Sequence, residues 1–283
     1  MSGSSTTVSM RQGAILREAV SEVRETLGDV FSSLALERAV FGLFFTGVKL
    51  SDGHGGVSYT PIKSLPEAVC CPSSARAMPS SGELRGRGVD ELLEGLFSGN
   101  PLRRTLGIAV LNALSTACLE AGRHEGSLQV GADALDDLDV GEDREVVVVG
   151  ALAPFLKALK RRARPYTVLE LDPSTLRPDE LPFYRPAADA AAVVPRADLL
   201  VVTGTSLLND TLEGLLALAR PEAEVVVVGP TASMLPGAFF RRGVDVLGGV
   251  LVTDPDALLN VIAEAGSGYH FFGRSAERVV IRP

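Results

Sequence analysis

Three short apolar runs in the second half of the chain each stop on a glycine: Val146–Gly150, Leu199–Gly204 and Val225–Gly229. Four or five mostly β-branched residues without polar alternation suit a strand buried on both faces, the mark of a parallel sheet covered by helices. A glycine at the carboxyl end of such a strand lets the backbone turn tightly and lets a ligand come close. In open α/β sheets, ligands sit outside those carboxyl ends. The runs therefore locate a binding edge before they say anything about chemistry.

From Val146 onward, strands and helices alternate. Strands are expected near 146–149, 166–171, 198–203, 224–228 and 244–252, with helices near 152–163, 210–219, 233–242 and 256–265. That alternation predicts right-handed crossovers and a doubly wound, Rossmann-like parallel sheet. The first half has a different rhythm. A helix is expected over 10–28, then a hairpin in which Ala39–Leu50 is answered by Val57–Thr60. After an irregular stretch rich in Pro, Ser, Gly and Cys, helices follow over 89–97 and from Pro101 to Ala121. This is an α+β pattern, so the 283 residues divide into an α+β domain over 10–125 and an α/β domain over 145–283. The acidic stretch Asp133–Glu145 is the expected linker.

Composition narrows the function. A net charge of −8 argues against nucleic acid as a partner. No apolar run approaches the ~20 residues that span a bilayer, which argues against a membrane protein. The first nine residues, small and polar, read as a tail rather than a signal peptide. Three cysteines, two of them adjacent, make no disulfide framework, and a reducing cytoplasm is the simplest home.

The first turn of the α/β domain, Gly150-Ala151-Leu152-Ala153-Pro154, keeps one of the three glycines of a dinucleotide fingerprint. Ala151 and Leu152 would crowd a pyrophosphate, so NAD is not expected. Glu170 and Asp172 end the second strand about 20 residues later, where an acidic side chain can receive ribose hydroxyls. Asp172, before Pro173, can equally cap a turn. After the third strand, Thr203, Gly204, Thr205, Ser206, Asn209 and Asp210 form the densest polar cluster of the domain, able to hold an anion or a polar small molecule. Gly229-Pro230-Thr231 offers a second such loop on the same edge. His54, His124 and His270 show no metal-ligand spacing, although the His54 turn could fold over the neighbouring domain. Cys70-Cys71 could grip a soft metal.

These residues resemble the "putative heavy-metal chelation" family of prokaryotic proteins, in which an enolase-N-terminal-like domain precedes a Rossmann-like domain. In the first half the resemblance rests on Gly55–Pro61, Asn100-Pro101-Leu102 and Gly107–Ala113. In the second it rests on Thr203–Leu212, Gly229-Pro230-Thr231, Gly243–Val250 and Val252–Pro255. It implies a site in the cleft between domains, built partly by the strand-end loops, and a ligand that is a heavy metal or a metal chelate. Thr60, His54 and Asn112 are the first-half residues expected to face that cleft. The resemblance assigns no role to Cys70, Cys71 or His270. Two other readings stand beside it: a transferase using an adenosine-type cofactor, with Glu170 or Asp172 on the ribose, and a non-catalytic regulatory or homo-oligomeric scaffold protein.

Overall fold

The computed structural model describes residues 13–65, 78, 80–136 and 138–283; Cys70, Cys71 and the first nine residues lie outside this set. The first element, α1 (Ala14–Leu27), buries Ile15, Leu16, Ala19 and Val23 on one stripe. Its Ile15 N–H, unpaired within the helix, donates to Glu213 Oε1 at 3.1 Å. Three antiparallel strands follow in simple order: β1 (Leu36–Phe41), β2 (Phe45–Leu50) and β3 (Gly55–Tyr59). Residues 39–50, expected to be one strand of a two-stranded hairpin, are therefore split into two. The chain turns at Gly42, whose N–H donates to Phe45 O, and a Cβ there would lie 2.5 Å from the Ile262 carbonyl oxygen. Only glycine allows the turn to press so close to a distant helix.

A short helix, α2 (Val89–Glu94), leads to α3 (Pro101–Glu120). Asn100 caps α3 by accepting from the amides of Leu102 and Arg103, both at 3.0 Å, with Pro101 at the first helical position. Every residue from Arg104 to Leu119 is buried. A helix buried all round must be wrapped by its own protein. Here β2 and β3 pack on it from one side, α1 and α2 from another, and the turn at Pro230–Ala232 touches it as well.

The remaining strands are β4 (Ser127–Val130), β5 (Val146–Val149), β6 (Thr167–Glu170), β7 (Tyr184–Pro186), β8 (Leu199–Thr203), β9 (Glu224–Val228), β10 (Val246–Val252) and β11 (Ala276–Arg282). They form one eight-stranded sheet in the order β4-β11-β10-β9-β8-β5-β6-β7. Strands β7 to β10 along this order are parallel; β11 and β4 are antiparallel additions. The chain grows outward from β5 through β6 and β7, then returns to β5's other side with β8, so the switch point lies between β5 and β8. Helices α4 (Ala153–Arg161), α5 (Ala190–Val193), α6 (Leu212–Leu218), α7 (Gly237–Phe240), α8 (Pro255–Ala263) and α9 (Gly268–Phe271) complete the chain.

The apolar runs alternate between two cores, as a strand's period of two requires. Val147, Leu200, Val202, Val225 and Val227 join a core shared with α1 and α3, whereas Val146, Val148, Leu199, Val201 and Val226 build the opposite face. One continuous core thus includes residues from both halves of the chain. The acidic stretch expected as a linker is packed: Ala134, Leu138 and Val140 are buried against the second face, and Arg144 pairs with Glu224 at 2.9 Å. Just before it, β4 already belongs to the large sheet.

The three-stranded sheet lies across the carboxyl edge of the parallel strands. A Cβ on Gly55 would meet Val252 and Pro255 at 2.8–2.9 Å, the Tyr59 N–H donates to Thr231 Oγ1 at 3.0 Å, and Lys63 Nζ lies 2.6 Å from Asp172 Oδ2. The segment 55–63 therefore runs along the edge from β10 past β9 to β6. Among the described residues, no helix is long and apolar enough to cross a membrane.

Candidate functional site

The β5 turn shows why residue identities matter at this edge. Gly150 adopts φ 95°, and a Cβ there would lie 2.6 Å from Thr203 Cγ2. The amides that follow are already engaged. Gly150 N–H donates to Leu169 O, Ala151 N–H to Glu170 Oε2 at 2.9 Å, Leu152 N–H to Gly150 O and Ala153 N–H to Ala151 O; Pro154 has no N–H. The Glu170 carboxylate also receives the amides of Leu171 at 2.7 Å and Asp172 at 3.1 Å. The protein's own carboxylate thus takes an amide that a pyrophosphate would need.

Asp172 accepts from Ser174 N–H at 3.0 Å and from Ser174 Oγ at 2.6 Å, the turn-capping role. The Lys63 ammonium, with help from Ser174, holds its carboxyl down to about 2. Asp172 is absent from the pocket wall that Glu170 helps to form.

That pocket, of about 450 Å³, opens at the carboxyl ends of β5, β6 and β8, beside the switch point. Gly150, Glu170, Thr203, Thr205, Asn209 and Asp210 all line it, together with Ser206 and Thr211. Leu169, Leu171, Ala187, Ala190, Leu215 and Leu218 give it an apolar side. The polar wall is locally organised: Thr203 and Thr205 share a hydroxyl contact at 3.1 Å, Ser206 Oγ donates to Thr203 O at 2.7 Å, and Thr211 Oγ1 donates to Asn209 Oδ1 at 2.6 Å. Asp210 has a left-handed backbone, φ 58°, a conformation that aspartate tolerates better than most residues.

Arg104 holds Asp210 in place. From α3, its Nη1 donates to Asp210 Oδ2 at 2.6 Å, its Nη2 pairs with Oδ1, and Nη2 also donates to Leu207 O at 2.9 Å. Sequence reasoning overlooked Arg104. The available signal was the pair Arg103-Arg104 just inside the helix that begins at Pro101, because a cation that such a helix buries needs a partner.

The other candidate residues lie elsewhere. Asn112, 1% exposed, donates through Nδ2 to Val57 O at 2.8 Å, Pro230 O at 3.1 Å and Thr231 O at 3.2 Å. Thr231 Oγ1 accepts from Tyr59 N–H, and Thr60 Oγ1 contacts Thr46 Oγ1 at 2.9 Å. Gly204 and Gly229 let the two strand-end loops nest: a Cβ on Gly204 would lie 2.9 Å from Ala232. These residues form a buried polar seam joining the three-stranded sheet and α3 to the large sheet. Thr203, Thr205 and Asn209 therefore share a pocket, whereas Thr231 is in the seam. Every described residue lining the pocket comes from 149–218. Ser233 donates to Pro230 O and accepts from Val250 N–H, both at 2.8 Å. Replacing Asn112 by alanine should strip a donor from three carbonyls and lower stability by about 1–2 kcal/mol. A urea midpoint unchanged from wild type would refute the seam's importance.

Among the described residues the donor set for a bare metal is poor. Among the described residues no three His, Cys, Asp or Glu side chains converge as ligands. His54 stands between carboxylates rather than beside them, with Nδ1 2.9 Å from Asp52 and Nε2 3.3 Å from Glu120. His270 accepts from Ser267 N–H through Nδ1 and caps α9. Burial pushes the Cys118 thiol up to about 11, so it stays protonated and is a weak ligand.

A family model described as "putative heavy-metal chelation" matches residues 133–281, and a second with the same description matches residues 24–115. The chain belongs to this family. It is 29% identical over 213 residues to an uncharacterized protein of Methanocaldococcus jannaschii, covering 70% of this chain and 78% of that one. Two crystal structures of family proteins with unknown function share the fold. The one from Pyrococcus horikoshii has a TM-score of 0.74 at 20% identity, covering 95% of this chain and 100% of that one. The one from Desulfitobacterium hafniense has a TM-score of 0.70 at 19% identity, covering 94% and 99%.

Proposed function

We propose that this protein binds a small organic molecule, a chelator or its metal chelate, in the pocket at the carboxyl ends of β5, β6 and β8. The pocket itself carries the reading. Its volume is in the usual range for small-molecule sites, it lies at a topological switch point, and a polar wall faces an apolar one. Family membership supports a role in metal binding. The poor donor set among the described residues joins the two observations: the organic ligand brings the metal's donors, and the protein recognises the complex by shape and hydrogen bonds.

A second reading, a transferase with an adenosine-type cofactor, is favoured by Glu170, which lines the pocket at the end of β6. Dinucleotides are a different matter, because the amides of the β5 turn are spent. NAD and NADP should bind weakly; calorimetry giving low-micromolar affinity, about −8 kcal/mol or tighter, would overturn this.

The decisive experiment is native mass spectrometry of freshly purified protein with metal analysis of the same sample. Gly214 lines the pocket from α6, and a Cβ there meets nothing within 4 Å, so Gly214→Phe adds a ring at the pocket without a clash at its Cβ. The expected result is a bound organic mass, with or without metal, that disappears in Gly214→Phe. Stoichiometric metal retained by both proteins without an organic mass would refute the proposal.

A further inference from the structure

The charges around the pocket are one-sided. Its ionisable lining residues are Glu170 and Asp210; no lysine, arginine or histidine lines it among the described residues. The two carboxylates differ in how they are compensated. Asp210 is met by the Arg104 guanidinium. Glu170 makes no ion pair among the described residues, and its charge is held by three backbone amides at 2.7–3.1 Å. Lys63, whose ammonium feels the Glu170 charge, is committed to Asp172 at 2.6 Å. A carboxylate has about four lone-pair sites, so Glu170 keeps one for a ligand.

The hydroxyls lean the same way. The Ser206 and Thr211 hydrogens are spent on Thr203 O and Asn209 Oδ1. The β5-turn amides of Gly150, Ala151, Leu152 and Ala153, one place where an anion could have nested, are bonded within the protein. Beside Glu170, Leu171 is 71% exposed and lines the pocket, leaving apolar surface for a ligand to cover.

Resting on the proposed small-molecule pocket, we infer that it selects ligands joining an apolar body to a protonated amine, that Glu170 receives the amine, and that anions are turned away. An anion would meet a carboxylate that no cation pairs with among the described residues, and like charges brought together in a partly buried site are strongly unfavourable.

Three fragments of one shape test this on the full chain: benzylamine, benzyl alcohol and benzoate, titrated by ligand-observed NMR. Benzylamine should bind at least about tenfold tighter than benzoate and measurably tighter than benzyl alcohol, a tenfold ratio being about 1.4 kcal/mol. Its signal should vanish in Gly214→Phe. Glu170→Gln, which keeps size and an acceptor oxygen, should bring benzylamine down to the level of benzyl alcohol. Benzoate binding as tightly as benzylamine, or benzylamine no tighter than the alcohol, overturns the inference while leaving the pocket reading intact. The absence of any signal sensitive to Gly214→Phe from all three fragments overturns both.

Discussion

Gly56→Ala should be among the most damaging single methyl additions in this protein. A Cβ at this position of β3 would sit well inside 3 Å of the Ala109 carbonyl oxygen and the Ala113 nitrogen, and 2.9 Å from Ala113 Cα. Those atoms are backbone of α3, which is buried on all sides and has nowhere to retreat. Side-chain overpacking typically costs 1–3 kcal/mol, and a clash with helix backbone belongs at or above the top of that range, so a loss of about 3 kcal/mol or more is expected. For a chain of this size that is a fall in melting temperature on the order of 10 °C, or failure to accumulate as folded protein. A melting curve superimposable on wild type would mean that β3 and α3 are not in this contact. Gly53→Ala is the matched control for a nearby glycine: its Cβ would meet nothing within 4 Å, although its φ of 92° adds backbone strain.

Arg104→Met should produce the other large effect. The arginine is 9% exposed and holds both Asp210 oxygens, so its loss leaves a carboxylate without its cation on a left-handed residue. Breaking a fully buried pair from one side costs about 3–5 kcal/mol; water reaching the partly exposed Asp210 reduces this to about 2–3 kcal/mol. Adding Asp210→Asn removes the orphaned charge while keeping a side chain that tolerates left-handed geometry, and should restore at least half of the loss. Urea midpoints for the two single variants and the double variant test this. A double variant no more stable than Arg104→Met would show that the arginine acts through packing rather than through Asp210. The same contact joins α3 to the pocket wall, so Arg104→Met should also loosen the 203–211 loop.

Much of the large sheet was legible because the signal is local. A strand buried on both faces must be apolar at every position, and Val146–Val149, Leu199–Thr203 and Glu224–Val228 were found where the runs predict them. The strands that escaped notice are those without such runs. β7 is three residues ending in proline, tolerable because it lies at the sheet edge. β4 is four residues, mostly exposed, and β11 mixes charged residues with its valines because it pairs antiparallel near the other edge. Because β4 has no apolar run, nothing before Val146 marks the large sheet in the sequence, and residues 133–145 read as a linker.

The candidate site divides along the same line. That Gly150, Thr203 and Thr205 meet at one edge followed from chain order, since right-handed crossovers bring the carboxyl ends of parallel strands together. Local sequence also determined the Asn100 cap and the Asp172 turn, because donor and acceptor lie two or three residues apart. Only the tertiary structure decided which polar groups face open space. Thr231 is spent on Tyr59, 172 residues away, Asn112 on carbonyls up to 119 residues away, and Asp210 on Arg104, 106 residues away. The apolar pattern of each segment says that it will be buried, but not against what. Partners are chosen when the three-stranded sheet docks along the carboxyl edge, where each unpaired buried polar group would cost about 1–3 kcal/mol. That docking turned Thr231 and Asn112 into a seam and left Glu170, Thr203, Thr205, Asn209 and Asp210 around a pocket.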